Sequence, residues 1–526
     1  MNEQTNTGFL LPHDFGVARL IQRLGGEARC RVGTADAFAA HFYDSFDWRL
    51  HAAGLRLMQL ETPQGTLLKL KSGDGAESAE PVVGEARPQW PADLPNGELK
   101  DAVVNALAMR VLLPVVSVRG EVTEVALLNE DAKTVVRLQH LALRCESADV
   151  DEPRKLLPRV RLLEVRGYAD ELADVAAFMQ DKMEWPRAPA CLFDEALAAI
   201  GREAGDYSSK LDVPLKPGLP ALNALRRVLL TLLDTIERNL AGTRADLDSE
   251  FLHDLRVATR RTRSAIAQVK RVLPDEVVAD FRQRFAWLGQ ITGPTRDLDV
   301  FLLELPHYRA SLPAPMGGHL DALEEHLRAA HKQEQNKLAR QLGSAEMKAL
   351  LADWRHVLEA ESPPGETAWF ADLPIERVAA QRIWRMYRKV RKDGRLALQG
   401  GPPEVLHALR KDCKKLRYLI EFFRRAFPED DLKDVVRNLK RLLDNLGTFQ
   451  DRQVQAEKLA AFAEGFDRDD PRCMSTVLAI GGLVADLLRD QQRAHERFAD
   501  CFAAFDSEAN RADYKRVFKQ RAEGLG

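Results

Sequence analysis

Phe251–Arg271 reads FLHDLRVATRRTRSAIAQVKR, and the spacing of its charges decides how the rest of the chain is read. His253, Arg256, Arg260 and Arg263 follow one another at intervals of three, four and three residues. On an α-helix, at roughly 100° per residue, these side chains fall within about 80° of arc. Leu255, Thr262, Ile266 and Val269 fall on the opposite side. The stretch therefore predicts a helix with one apolar face and one cationic face. An ordinary solvated face mixes the two signs, with Glu or Asp four residues from Arg or Lys. Here Asp254 is the single acid against six Arg and Lys residues.

The stretch has an echo. Leu406–Arg425 reads LHALRKDCKKLRYLIEFFRR, and an offset of 154 carries His253 to His407, Arg256 to Arg410 and Arg260 to Lys414. The same offset carries Arg261 to Lys415 and Arg263 to Arg417, and apolar Leu252, Leu255 and Ile266 to Leu406, Leu409 and Ile420. A second segment, Leu288–Val300, repeats at that offset as Leu442–Val454, with Gly293, Asp297 and Val300 matching Gly447, Asp451 and Val454. Two segments sharing one offset predict a duplicated helical unit.

The chain has 526 residues and a formal net charge of −3, which leaves room for two or three domains and makes the cationic faces local concentrations. The six cysteines, Cys30, Cys145, Cys191, Cys413, Cys473 and Cys501, have no short paired spacing. A zinc ribbon and a disulfide framework are thereby disfavoured, and a reducing compartment fits. MNEQTNTG at the start lacks a basic region followed by an apolar run, and the longest apolar runs are too short or too interrupted to span a bilayer. A soluble cytoplasmic protein is expected, with neither a metal site nor a cofactor.

Residues 1–205 read as a mixed domain dominated by strands. Leu55–Leu60 and Leu67–Lys71 alternate about a Pro63–Gly65 turn, and Val115–Gly120, Val122–Leu128, Lys133–Ala142 and Val160–Arg166 read as further strands. Asn129–Asp131 reads as a hairpin turn. Residues 72–97, rich in Gly, Pro, Ala and acid, read as a loop, and Asp170–Met183 and Ala190–Ile200 as closing helices. Short connections between successive strands predict an antiparallel β-barrel or tunnel-like domain. Residues 206–220 read as a linker. An all-α domain follows over 221–510, in two copies at about 221–360 and 375–510, so the fold class is α+β. The second copy opens with another stripe, in which Arg382, Arg385 and Lys389 share a face opposite Ile383, Tyr387 and Val390.

Two cationic helices brought together by a pseudo-twofold repel one another, and a polyanion is the natural counterweight. Nucleic acid is one candidate. Single-strand binders interleave aromatics for base stacking, however, and Tyr418 is the one aromatic near the main basic faces; no helix-turn-helix, zinc-finger or RNA-recognition signature is present either. A ligand made of phosphate without bases fits better, because Arg offers fork-like donors to phosphate oxygens and many weak contacts along one chain add by multivalency.

The His-x-x-Arg-x-x-x-Arg-Arg-x-Arg stretch, its copy at His407, and Arg296-Asp-Leu-Asp299 resemble the CHAD domain, a helical domain with recurrent histidines whose family binds inorganic polyphosphate. The resemblance covers about 220–510 and implies two pseudo-symmetric helical bundles around a basic groove or pore. Carried over by position, His253, Arg256, Arg260, Arg263, His407, Arg410, Lys414 and Arg417 face the ligand, joined by Arg261 and Lys415 beside them and by the Arg382, Arg385 and Lys389 stripe. The second copy departs from the motif where Lys414 and Lys415 replace arginine, which keeps charge and loses bidentate geometry. Phosphate contact by the histidines would make affinity rise as pH falls through their titration range. Association with polyphosphate granules is the accompanying expectation.

Phe42-Tyr43-Asp44-Ser45-Phe46-Asp47-Trp48-Arg49-Leu50 and Gly54-Leu55-Arg56-Leu57 more loosely resemble the CYTH, or triphosphate tunnel metalloenzyme, family over roughly 8–200. Some members hydrolyse triphosphate. Active members carry Glu-x-Glu-x-Lys just before a stretch like Gly8–Pro12; Glu3, Thr5 and Thr7 occupy the matching positions, so the second acid and the lysine are missing. Glu164 stands nearly alone in Arg161–Arg166, whereas a metal-triphosphate reaction needs several carboxylates around a divalent ion. Arg56, Lys69 and Lys71 remain as phosphate-binding or ordinary strand-face charges. The resemblance with these departures implies a catalytically degenerate domain. The alternatives kept beside polyphosphate binding are a metal-dependent triphosphatase and a nucleic-acid binder.

Overall fold

The computed structural model describes residues 7–523 apart from 27–28, 74–76, 82–86, 148–149, 190, 361–365 and 401–402. The chain divides into two compact units, Met1–Ser208 and Ser209–Gly526.

The first unit is built on an antiparallel sheet. Its strands are β1 (Thr7–Leu10), β2 (Cys30–Asp44), β3 (Leu55–Thr62), β4 (Gly65–Ser72), β5 (Glu77–Pro81), β6 (Leu113–Leu128), β7 (Thr134–Glu146), β8 (Arg154–Lys155) and β9 (Arg159–Glu164). They pair in the order β1-β9-β7-β6-β2-β3-β4-β5, with β8 on β7, and no ladder among the described residues joins β1 to β5. Helices α1 (Val17–Arg23), α2 (Arg49–Ala52), α3 (Glu98–Leu107), α4 (Ala169–Ala177) and α5 (Leu192–Ala199) pack on it. The expected turn at Asn129 is present: its amide donates to the Lys133 carbonyl at 3.0 Å and its side chain accepts the Lys133 amide at 2.9 Å. The two strands expected on either side of Glu121 are one strand, β6. Gly120 runs straight through because a side chain there would strike Leu143 and the Ala142 carbonyl, 2.6 and 2.7 Å from its Cβ position. The region expected to be a loop at 72–97 contains β5, which pairs with β4. Strand β2 escaped the sequence reading because its Ala-rich stretch has little intrinsic strand preference. It forms because β3 and β6 pair with it on both sides.

The Phe42–Leu50 motif is a packed corner. The Asp44 carboxylate accepts the amides of Ser45, Leu50 and His51 at 2.7–2.9 Å, which caps α2, and burial pushes its pKa up to about 6. Asp47 pairs with Arg49 at 3.0 Å and buried Arg110 at 3.2 Å. Arg56 lies 5.0 Å over the Phe193 ring and 3.8 Å from Asp194, and Lys69 is buried.

The second unit is helical: α6 (Ala221–Ala245), α7 (Ser249–Gln268), α8 (Asp275–Ile291), α9 (Gly293–Ser311), α10 (Ala314–Gly317), α11 (Asp321–Leu342), α12 (Ala345–Glu359), α13 (Ile375–Ala397), α14 (Pro403–Phe423), α15 (Glu429–Glu464), α16 (Cys473–Phe505) and α17 (Glu508–Tyr514). The offset of 154 carries the start of α6 to that of α13, of α7 to that of α14, and of α8 to that of α15. The symmetry is explicit where the copies meet. Pro220 bridges Pro374, its own equivalent, and the Ala221 amide donates to the Leu373 carbonyl at 2.8 Å while the Ile375 amide donates to the Leu219 carbonyl at 2.9 Å. Each bond is the image of the other under the offset, as a local twofold requires. The copies differ at the joint after α8. Pro294 lacks an amide donor and crowds the preceding turn, so α8 and α9 are separate helices. Thr448 holds the equivalent place, and α15 runs unbroken for 36 residues. Among the described residues no helix is long and apolar enough to cross a membrane.

Candidate functional site

The cationic helix starts where Asp248 caps it, its carboxylate accepting the amides of Glu250 and Phe251 at 2.9 and 3.2 Å. Phe251, Leu252, Leu255, Ala258 and Ile266 are buried. Their burial fixes the roll of α7 and turns the opposite stripe outward. Leu406, Leu409, Cys413, Leu416 and Ile420 do the same for α14. The N-terminal parts of the two stripes meet in a groove of about 1010 Å³, bounded by α7 and α14 together with α9 and α15.

The lining follows the local twofold. His253 and Arg260 of the first copy face the same groove as His407 and Lys414 of the second, and Asp297 and Val300 recur as Asp451 and Val454. Arg261, Arg410 and Arg417 complete the expected set present there. Arg452 and Lys458 join them from α15. These two were missed because the offset maps them to Leu298 and Glu304, so comparison of the copies hides them. Seven arginines and lysines therefore face four carboxylates, Asp297, Glu304, Asp444 and Asp451. The groove is net cationic, though less pure than either helix face suggested, because α9 and α15 bring acids of their own.

Which charges are already matched matters more than the count. Lys458 pairs with Asp297 at 2.5 Å, Arg410 with Asp451 at 2.8 Å, and Arg261 and Arg417 share Glu421 at 3.2 and 2.6 Å. Arg260 and Lys414 have no ion-pair partner among the described residues. They are twofold equivalents; burial, then Arg410 and Arg260, push the Lys414 pKa down to about 8.

The histidines are held by equivalent positions. Arg296 donates to His253 Nδ1 at 2.9 Å and to the Ser249 carbonyl at 3.1 Å. A guanidinium can only donate, so His253 Nδ1 accepts and the neutral ring carries its proton on Nε2. His407 Nδ1 bonds Gln450 Oε1, and Gln450 is the equivalent of Arg296. There the acceptor is the amide oxygen, so Nδ1 carries the proton and Nε2 becomes a donor once the ring is protonated. The Arg296–Asp299 segment is thus a clasp on α7; Asp299 in turn bonds His331 at 2.8 Å.

The other expected site residues lie elsewhere. Arg256 turns toward the break between α8 and α9, donating to the Gly289 carbonyl at 3.2 Å and Thr292 Oγ1 at 2.8 Å. Burial, then Arg260, hold its pKa down to about 10. Arg263 lies against Gly289, where a Cβ would sit 3.0 Å from Nη1. Lys415 pairs with Asp412 at 2.7 Å, and Lys389 with Asp393 at 2.6 Å and with Asp412. Arg382 and Arg385 line a separate cavity of about 510 Å³ beside the C-terminal end of α7. The α13 stripe therefore does not join the groove: its apolar face packs into the core, and its cations point to acids on α13 and α14 or to that second cavity.

In the first unit, Glu3 and Thr5 lie outside the described residues. Among the described residues no three His, Cys, Asp or Glu side chains converge as a metal site would need.

The CHAD domain family model matches residues 227–460. Similar solved structures include the CHAD domain from the plant Ricinus communis, at 22% identity over 58% of this chain and 95% of that one with a TM-score of 0.46. PptA from Streptomyces chartreusis is similar at 19% identity over 54% and 99%, with a TM-score of 0.41. A putative adenylate cyclase from Bacillus halodurans is similar at 15% over 35% and 91%, with a TM-score of 0.24. A comparison with curated proteins found no match. Residues 227–460, which hold α7, α14 and the groove they face, are a CHAD domain.

Proposed function

We propose that the second unit binds inorganic polyphosphate in the groove between α7 and α14. The observation that carries this reading is the meeting of Arg260 and Lys414 across the local twofold, both without a carboxylate partner among the described residues. Burial, then Arg410 and Arg260, depress the Lys414 pKa, and a string of phosphates entering the groove sets attraction against that repulsion. His253 and His407 line the groove beside them. Arg410, Arg417, Arg261 and Lys458 are held in carboxylate pairs, so they supply field and exchangeable partners more than free charges. Phosphate without bases suits the groove: its aromatics are Phe301 and Tyr418, and Phe301 is buried while Tyr418 already stacks with Phe422 at 6.2 Å. No row of open rings awaits successive bases.

The two copies, about 221–360 and 375–510, act together because each contributes half of the groove. In a cell that stores polyphosphate, such binding would bring the protein to the granules. The first unit is read as a non-catalytic CYTH-like domain. Titration of the full chain with labelled polyphosphate, against unlabelled DNA and RNA as competitors at physiological salt, tests the reading. Polyphosphate should displace the label at far lower phosphate concentration than either nucleic acid; equal displacement would favour nucleic-acid binding. Robust phosphate release from triphosphate with magnesium or manganese would reject the non-catalytic assignment.

A further inference from the structure

The cavity beside the C-terminal end of α7 was not part of the groove, yet it is more strongly cationic. Lys270, Arg271, Arg282, Arg382 and Arg385 line it against one carboxylate, Asp275. The cations come from α13, from α8 and from the end of the α7 stripe. Several are fixed before any ligand arrives. Arg382 donates to the Lys270 carbonyl at 2.8 Å and lies 5.6 Å over the Phe370 ring. Arg271 lies 4.9 Å over Trp369 and 5.6 Å over Phe370. The backbone of Arg271 adopts φ 65°, an uncommon conformation for a residue with a side chain, and its carbonyl accepts the Phe370 amide at 2.7 Å. Strain at Arg271 and the rings under Arg271 and Arg382 orient these two guanidinia toward the cavity. Burial, Arg385 and Arg271 hold the Arg382 pKa down to about 10, a sign of cations crowded without counter-charge.

The two cavities lie along one helix. On α7, Arg260, Arg263 and Ala267 succeed one another at spacings of three and four, one face, and Lys270 and Arg271 follow just beyond the helix end. From His253 to Gln268 the helix rises about 22 Å at 1.5 Å per residue. Arg256 and Arg263 meet at Gly289 of α8, and α8 also supplies Arg282 to the second cavity. Arg263 has no ion-pair partner among the described residues. The corresponding route in the second copy is closed. Arg417, the equivalent of Arg263, pairs with Glu421; Arg424 and Arg425, the equivalents of Lys270 and Arg271, pair with Glu429 at 3.7 Å and Asp212 at 2.5 Å.

We propose that the Lys270, Arg271, Arg282, Arg382 and Arg385 cavity is a second phosphate anchor, reached from the groove over Arg263, so that a long polyphosphate leaves the groove on the first copy's side only. The proposal rests on the groove reading and adds a direction and a length dependence to it. A chain long enough to reach both anchors gains avidity that a short one lacks.

The test is isothermal titration of the full chain with tripolyphosphate and with long-chain polyphosphate, for the wild type, for R382E/R385E, and for the milder R271Q/R385Q should the first variant unfold. R382E/R385E should lose one tripolyphosphate site and bind long chains on the order of 10- to 100-fold more weakly. The groove variant R260E/K414E should lose the other tripolyphosphate site. Unchanged long-chain affinity in a folded cavity variant overturns the proposal whatever the tripolyphosphate count, and leaves the groove reading intact if R260E/K414E is defective. Wild-type protein that binds neither length sinks both.

Discussion

The two copies in the second unit share the starts of three helices, their apolar faces and a twofold bridge, yet treat their cations differently. In the first copy the α7 stripe stays open: Arg260 and Arg263 have no ion-pair partner among the described residues, and Lys270 and Arg271 end in a cavity lined by one acid. In the second copy, Lys415, Arg417, Arg424 and Arg425 are each matched by a carboxylate. The acids responsible, Asp412, Glu421, Glu429 and Asp212, correspond under the offset to Ala258, Ala267, Asp275 and a position before the first copy begins. The duplication shares the hydrophobic pattern that sets the fold, whereas Asp412 and Glu421 correspond to alanines in the other copy, so the matching of cations differs while the apolar faces agree. At the groove, where the axis brings equivalent residues together, Arg260 and Lys414 have no ion-pair partner in either copy among the described residues.

The largest expected effect breaks the one point at which the copies agree. R260E/K414E removes both unmatched cations and introduces repulsion, so polyphosphate affinity should fall by about 100-fold or more, at roughly 1.5–3 kcal/mol per charged contact. Thermal unfolding should be unchanged, since neither side chain holds a partner. Retained affinity would remove Arg260 and Lys414 from the site.

A smaller effect sharpens the contrast at Arg256 and Arg410, which share a motif position and differ in partner. Arg256 ties together the end of α8, donating to the Gly289 carbonyl, which also accepts from Thr292 Oγ1 at 3.3 Å, and to Thr292 Oγ1 itself. Arg256→Ala should therefore cost about 1.5–3 kcal/mol of stability. Arg410 pairs with exposed Asp451, and Arg410→Ala should cost less than about 1 kcal/mol. Urea denaturation of the two single variants decides; equal losses would show that the break at Pro294 does not govern the arginine. For the same reason, charge reversal at Arg256 confounds binding with folding, and Arg260 is the better probe.

The smallest effect separates lysine from arginine at the axis. In the free protein the Lys414 pKa is lowered to about 8. Bound phosphate favours the ammonium and raises that value, so binding takes up a proton. Affinity is then full below about pH 8 and falls as pH rises through it, by several-fold between about pH 7 and pH 9. Lys414→Arg should flatten this limb, since a guanidinium stays charged throughout. Titrations at several pH values in buffers of different ionisation enthalpy measure it; an identical slope in Lys414→Arg would assign the proton elsewhere.

The sequence by itself determined the amphipathic character of α7, its repetition at α14, the Asn129 turn and the α+β class, because periodicity and turn chemistry act over a few residues. It also marked His253, Arg260, His407, Arg410, Lys414 and Arg417 as sharing exposed faces. Tertiary structure alone decided which faces meet. Strand β2 exists through its neighbours, since its Ala-rich stretch has no strong preference of its own. Arg382 and Arg385 look like part of the same stripe system until packing of Ile383, Tyr387 and Val390 aims them at another cavity. Arg452 and Lys458 enter the groove from a helix whose other copy carries Leu298 and Glu304. A helix reports the side on which its charge lies, but what stands opposite is set by long-range packing of the apolar faces, which no local spacing encodes.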